Sequence, residues 1–168
     1  MKETLRKINS LVDSGLIEKY AIAGGIAHFY YIEPSVTFDL DLVVNIVNKG
    51  NPLTPLTEIY AWSKKNNFKT EGEHIIIAGV PVQFLLPYND LVVEALEKRC
   101  QITLFDEKTF ILGPEYLMAI MLQTGRASDR ERLTRFFNES EYDESIFNDI
   151  IFKFKLDKKL ATFKKIYG

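Results

Sequence analysis

The sequence predicts an α/β (α+β) protein with a helical C-terminal lobe, and three observations predict it. Short apolar segments of strand character alternate with helix-period segments up to about Leu112. From Gly113 onward only helix-period segments remain. The chain has 168 residues, 46% of them apolar, enough to close one hydrophobic core without internal repeats or low-complexity linkers. The expected organisation is an α/β core over residues 1–112 and a helical lobe over residues 113–168 packed on it.

Each element has a local reason. Leu5, Ile8, Leu11 and Val12 recur at helical spacing and Gly15 stops the helix. The run YAIA is a short buried strand that ends at Gly24-Gly25, and GIAHFYYI restarts as a helix that must end before Pro34. The segment VTFDLDLVVNIV is a strand by β-branching and alternation. A loop and a helix follow in NPLTPLTEIYAWSKKNN, with Pro55 expected in the first turn. FKTEGEHIIIAGVPVQFLLP reads as a three-stranded meander, and YNDLVVEALEKR as a helix capped by Asn89 or Asp90. QITLFDEKTFIL is a hairpin turning at Asp106-Glu107. Four helices then follow, in PEYLMAIMLQTG, SDRERLTRFFN, DESIFNDIIFKF and DKKLATFKKIYG.

The bulk properties exclude several classes. A net charge of −2 gives no global attraction for nucleic acid or anionic membrane, although a local basic patch stays open. Cys100 is the only cysteine, so no intramolecular disulfide and no thiolate zinc cluster can form. The first residues are charged and amphipathic, unlike a secretory signal, and no apolar run spans a bilayer. The expected compartment is the cytoplasm, with no membrane association.

The chemistry lies between Tyr20 and Val44. On a strand, Phe38, Leu40 and Leu42 share one face while Thr37, Asp39 and Asp41 share the other. Two carboxylates at i and i+2 repel each other and cannot be buried unpaired, but a divalent cation between them removes both problems. Hard oxygen donors suit Mg²⁺ or Mn²⁺. Gly24 and Gly25 sit between a strand and a helix, where the backbone can approach a ligand and the free N–H groups of the helix start attract anions. Each feature alone has a plainer reading, a turn glycine or a solvated strand edge. Together they outline a site for a nucleoside triphosphate. A dinucleotide-binding site fits less well, since G-x-G-x-x-G is absent.

On AGGIAHFYY and TFDLD the sequence resembles the nucleotidyltransferase superfamily, the fold shared with DNA polymerase β. ILGPEYLMAIMLQTGRASDRERLTRFF extends the resemblance to a prokaryotic branch that includes AbiEii-type toxins of toxin–antitoxin systems. The resemblance covers roughly Tyr20 to Phe137 and implies a mixed sheet flanked by helices. It implies that Gly24 and Gly25 hold the triphosphate and that Asp39 and Asp41 bind Mg²⁺ or Mn²⁺ and act catalytically. Thr37 would orient phosphate or metal, and Arg126 would reach phosphate or pair with Asp129. The implied activity is transfer of a nucleotidyl group from an NTP to an acceptor (tRNA, protein or small molecule), with RNA or an antitoxin protein as further partners.

The chain departs from that pattern. The third carboxylate of the superfamily falls at Gln83, which can ligate through its carbonyl but cannot act as a base. Met121 and Ser128 stand where the branch has lysines, and Arg132 where it has an acid. Either other groups such as Glu71 or Glu73 substitute, or the chain is a catalytically degenerate module that binds nucleotide or a protein partner. A phosphate-binding hydrolase on the same D-x-D is a weaker third reading.

Several residues read as structural. His28 is expected to be a partly buried helical histidine, His74 a solvated turn residue, and Cys100 a small core or edge residue. Glu115 favours the positive end of its helix. Lys153, Lys155, Lys158, Lys159, Lys164 and Lys165 fit a solvated helical face, with an RNA or protein contact as the rival reading. Phe136, Phe137, Phe147, Phe152, Phe154 and Phe163 read as core packing of the lobe rather than base-stacking platforms.

Overall fold

The computed structural model describes residues 1–32, 39–47 and 54–167. The elements of the α/β part are α1 (Lys2–Asp13), β1 (Ile17–Ile22), α2 (Gly24–Tyr31), β2 (Leu40–Ile46), α3 (Thr57–Lys65), β3 (Lys69–Glu71), β4 (His74–Ile77), β5 (Val80–Leu85), α4 (Asp90–Glu97), β6 (Cys100–Leu104) and β7 (Glu107–Ile111). Four helices follow: α5 (Pro114–Thr124), α6 (Ala127–Glu139), α7 (Glu144–Lys153) and α8 (Asp157–Tyr167).

The seven strands form one mixed sheet in the order β3-β4-β5-β2-β1-β7-β6. β2 runs parallel to β5 and antiparallel to β1, and β1 runs parallel to β7. The strand that carries Asp41 is therefore central. Its Leu40, Leu42 and Val44 are fully buried, which is the side expected to close the core. Beyond Asp41 the other side is covered too, since Val43 is also buried. α1 packs on β1 and β7 through Leu5, Ile8 and Leu11, all fully buried. The phenol of Tyr20 is buried but satisfied, by Asn9 Oδ1 at 2.6 Å and Thr109 Oγ1 at 2.8 Å.

Local signals worked at most boundaries and missed at a few. Asn89 is the cap of α4: its Oδ1 accepts from the Val92 N–H at 2.9 Å. Pro55 lies in the turn before α3, which begins only at Thr57. The β6–β7 hairpin turns at Phe105 and Asp106, one residue earlier than expected, with both at positive φ (51° and 61°). That is the conformation a two-residue hairpin demands, held here without the usual glycine or asparagine at its first position. His74 opens β4 and is half-buried instead of sitting in the turn.

In the lobe, Phe137 stacks edge-on against Tyr142 and Phe147 and tilts against Phe163, so these rings are packing groups. Phe152 breaks the expectation: it is 84% exposed, because Ile150 and Ile151 occupy the inward face of α7. Three of the lysines are used within the chain. Lys153 pairs with Glu94, Lys159 donates to the Gln123 carbonyl, and Lys164 lies over the Phe137 ring. Glu115 Oε1 accepts from the Asp143 N–H at 2.7 Å, which ties the start of α5 to the start of α7. Among the described residues no helix is long and apolar enough to cross a membrane.

The α5–α6 corner is held by one buried carboxylate. Gly125 ends α5 in the left-handed region (φ 65°), which glycine adopts without strain. Asp129 Oδ2 then accepts from Thr124 Oγ1 at 2.8 Å, from the Arg126 N–H at 3.2 Å and from Arg126 Nε at 2.9 Å. Asp129 is 3% exposed. Replacing Asp129 by Ala is expected to lower the stability of the chain by about 1–3 kcal/mol in urea denaturation, while Ser128→Ala, next to it and exposed, changes it by less than about 0.5 kcal/mol.

Candidate functional site

The site is built where β1 hands over to α2 beside β2. The Ala23 N–H donates to the Asp41 carbonyl at 2.8 Å, which sets the end of β1 against β2. Gly24 follows with φ 56° and opens α2. A Cβ built on Gly24 falls 1.8 Å from Asp41 Oδ2 and 2.7 Å from its Cγ, so the space a side chain would need is filled by the Asp41 carboxylate. Glycine is required there twice over, for the backbone angle and for the contact. Gly25 is buried in the first turn of α2, whose unpaired N–H groups carry the positive end of the helix dipole.

Asp41 is half-buried, and Asp39 is half-buried just before β2. Burial raises the Asp41 carboxyl above its usual range, and the like charge of Asp39 raises it further. His74, Arg132 and Arg126 oppose that shift. A half-buried carboxylate disfavoured as an anion, with a second carboxylate two residues before it and a helix N-terminus beside it, offers hard oxygen donors of the kind that suit a divalent cation. Among the described residues no group of three or more His, Cys, Asp or Glu side chains is arranged to hold a metal.

Gln83, the position expected to correspond to the third acid, lies beside Asp41 in the sheet register. Asp41 pairs with Gln83, Gln83 with His74, and His74 with Glu71. Laterally paired residues share a face, so these four side chains form a polar row across β2, β5, β4 and β3. Gln83 Nε2 donates to Glu73 Oε2 at 2.7 Å. The carboxylate expected from β5 is thus replaced by an amide that holds a carboxylate reaching over from the β3–β4 turn.

Beside Asp41 a cavity of about 160 Å³ opens between the sheet and the helices. Gly24, Asp41, Arg126, Asp129 and Arg132 line it, together with His28 and Tyr88. Arg126 lines the cavity and pairs with Asp129, one of the two roles anticipated for it. Thr37 lies outside the described residues, as does Phe38.

Of three further lining residues, His28 reads from sequence as structural in preference to a phosphate contact, and Arg132 and Tyr88 carry no site signal. His28 is 3% exposed and packs edge-on against Phe136 at 5.3 Å, deeper than a partly buried helical position. Desolvation, then Arg132 and Arg135, push its pKa down to about 4, so it is neutral at physiological pH. Its i+4 relation to Gly24 on a helix was the available signal, since that spacing puts the two on one face. Arg132 looked only like a lost acid, and Tyr88 carried no motif at all.

No family model and no curated protein matches the sequence. Among solved structures the chain is similar to an antigenic nucleotidyltransferase-like protein from Paracoccidioides brasiliensis, with a TM-score of 0.54 and 19% identity over 79% of this chain and 74% of that one. A looser likeness, TM-score 0.47 at 13% identity over 98% of this chain and 97% of the other, is to ANT(2")-Ia in complex with adenylyl-2"-tobramycin. The first likeness shows a shared fold: this chain has the α/β architecture of a nucleotidyltransferase-like protein.

Two outcomes follow from the Gly24–Asp41 contact. Gly24→Ala is expected to cost about 2 kcal/mol or more in urea denaturation, because strain at positive φ adds to the clash. Asp41→Asn is expected to stabilise the metal-free protein at pH 7. A carboxyl whose folded pKa is raised binds more protons folded than unfolded, so its penalty shrinks as pH falls towards that pKa. The stability gap between Asp41→Asn and the parent, measured in chelator, should therefore narrow as pH falls from neutral towards the carboxylate range.

Proposed function

We propose that this chain is a Mg²⁺- or Mn²⁺-dependent nucleotidyltransferase that moves a nucleotidyl group from an NTP to an acceptor. The observation that carries the reading is the close packing of the α2 start on Asp41, which sets an anion-binding helix end and a carboxylate side by side. Asp39 and Asp41 are the metal ligands, with the Gln83 carbonyl as a neutral third donor. Gly24 and Gly25 present backbone N–H groups to the phosphates, and Arg126 and Arg132 add positive charge from the lobe. A bound divalent cation neutralises charge on the transferring phosphate and on departing pyrophosphate. In the transfer, a bond forms between the acceptor oxygen or nitrogen and the α-phosphorus as the bond to pyrophosphate breaks and the acceptor's proton passes to water. The acceptor is a tRNA, a protein or a small molecule, and the sequence likeness to AbiEii toxins makes a toxin–antitoxin setting part of the proposal.

A second reading is favoured by the Glu73–Gln83 hydrogen bond. With no acid on β5, the chain holds nucleotide and metal without turning them over, as a binding module for a partner protein.

Labelled NTP, Mg²⁺ or Mn²⁺ and candidate acceptors test the enzymatic reading. Transfer is expected, and Asp39→Asn or Asp41→Asn should lower it roughly 100-fold or more, since metal stabilisation of several kcal/mol is lost. Transfer that survives both substitutions would sink the assignment. Calorimetry that shows NTP and metal binding without turnover, with transfer appearing in Gln83→Asp, selects the module reading.

A further inference from the structure

Tyr88 is an aromatic side chain that the fold mounts firmly and then leaves bare. Among the described residues it is the one exposed aromatic that lines the cavity holding Gly24 and Asp41, and it is 62% exposed. Its hydroxyl has no hydrogen bond and its ring no ring contact among the described residues. A single exposed tyrosine is ordinary on a protein surface. The mount sets this one apart. Pro87 fixes the backbone on one side and restricts Leu86 before it. On the other side Asn89 is held twice. Its Oδ1 accepts from the Val92 N–H at 2.9 Å, and its Nδ2 donates to Gln123 Oε1 on α5 at 2.6 Å. The ring therefore stands at the cavity mouth on a backbone pinned between β5, α4 and α5, and a tyrosine has few torsions left to order when a ligand arrives.

The neighbours at that mouth carry charge, and the ring carries a face. Arg126 lines the same cavity, with its Nε tied to Asp129 Oδ2 at 2.9 Å. Desolvation raises the Tyr88 phenol above its ordinary range and the charge of Arg126 opposes the rise, so the two side chains lie near one another. The cavity thus offers the start of α2, arginines on one wall and a bare aromatic face at its opening. That arrangement fits a ligand that is anionic at one end and flat at the other. We infer that the base of the bound NTP stacks on the Tyr88 ring, while its triphosphate lies towards Gly24 and Arg126. Stacking uses the π-face that every base has and reads no hydrogen-bonding edge. As far as Tyr88 sets it, recognition is therefore tolerant of the base. The inference deepens the nucleotidyltransferase reading and rests on it for the triphosphate, but the part played by Tyr88 is measured by binding alone, without acceptor or turnover.

Calorimetry on the full chain with Mg²⁺ compares ATP, CTP and inorganic triphosphate. Tyr88→Ala is expected to weaken ATP and CTP by about tenfold or more each and to leave triphosphate within about twofold of the parent. The unchanged triphosphate affinity also reports that the variant is folded. Tyr88→Phe, which keeps the ring and loses only the hydroxyl, should bind all three as the parent does. In nuclear magnetic resonance spectra the base protons of ATP should move upfield on binding the parent and lose that shift with Tyr88→Ala. Nucleotide affinity unchanged in Tyr88→Ala, or a loss that triphosphate shares, overturns the inference. An equal loss in Tyr88→Phe and Tyr88→Ala assigns the effect to the hydroxyl and overturns stacking, and so does a parent that binds no NTP. Nucleotide binding that depends on Tyr88 in a protein that transfers nothing leaves this inference standing and removes the enzymatic one.

Discussion

The contact between the Gly24 backbone and the Asp41 carboxylate is the constraint on which the site depends. It fixes the handover from β1 to α2 at a left-handed glycine and lays the helix start on a central strand. The sheet order then places the remaining parts. β2 lies between β1, which delivers the helix, and β5, which delivers Gln83. A side chain at residue 24 would push the carboxylate and the helix end apart, and the two halves of the site would no longer share one ligand.

The second constraint is electrostatic. Asp41 is disfavoured as an anion by its burial and by Asp39, and what relieves it comes from outside the strand: His74 from β4, Arg126 and Arg132 from the lobe. The helical lobe is thus more than a cover for the sheet. It supplies positive charge to Asp41, and through Asp129 it holds Arg126 at the rim of the cavity. Burial keeps His28 neutral, and Arg132 and Arg135 of α6 add to that, so one helix supports an anion on the strand and an uncharged ring on α2.

Much of this was legible in the sequence because local chemistry dictated it. The strand–glycine–helix junction, the buried Leu40 and Leu42 opposite Asp41, the Asn89 cap and the switch to helices after Leu112 each follow from a few adjacent residues. The misses have a common physical cause. Pro55, the Phe105-Asp106 turn and exposed Phe152 were misplaced where several local solutions compete and packing selects one. His28, Tyr88 and Arg132 meet only through tertiary contact, and their burial and charge balance cannot be read from periodicity. Gln83 lay between these cases. Its departure was visible, but its partner Glu73 depends on how the β3–β4 turn folds over the β5 edge.

The strand order also has a consequence for how the protein is made. β1 and β2 leave the ribosome early, yet β1 gains its second neighbour only when β7 arrives, and the cavity beside Asp41 gains its last wall with Phe136. Until then the nascent chain holds an antiparallel pair of β1 and β2 with the outer edge of β1 open, a template for pairing with the wrong strand. Closure depends on contacts far apart along the chain, which slows folding relative to a local meander. Asp41 is translated well before Arg126 and Arg132, so the newborn chain passes through a stage in which this carboxylate lacks the positive charge that opposes its burial.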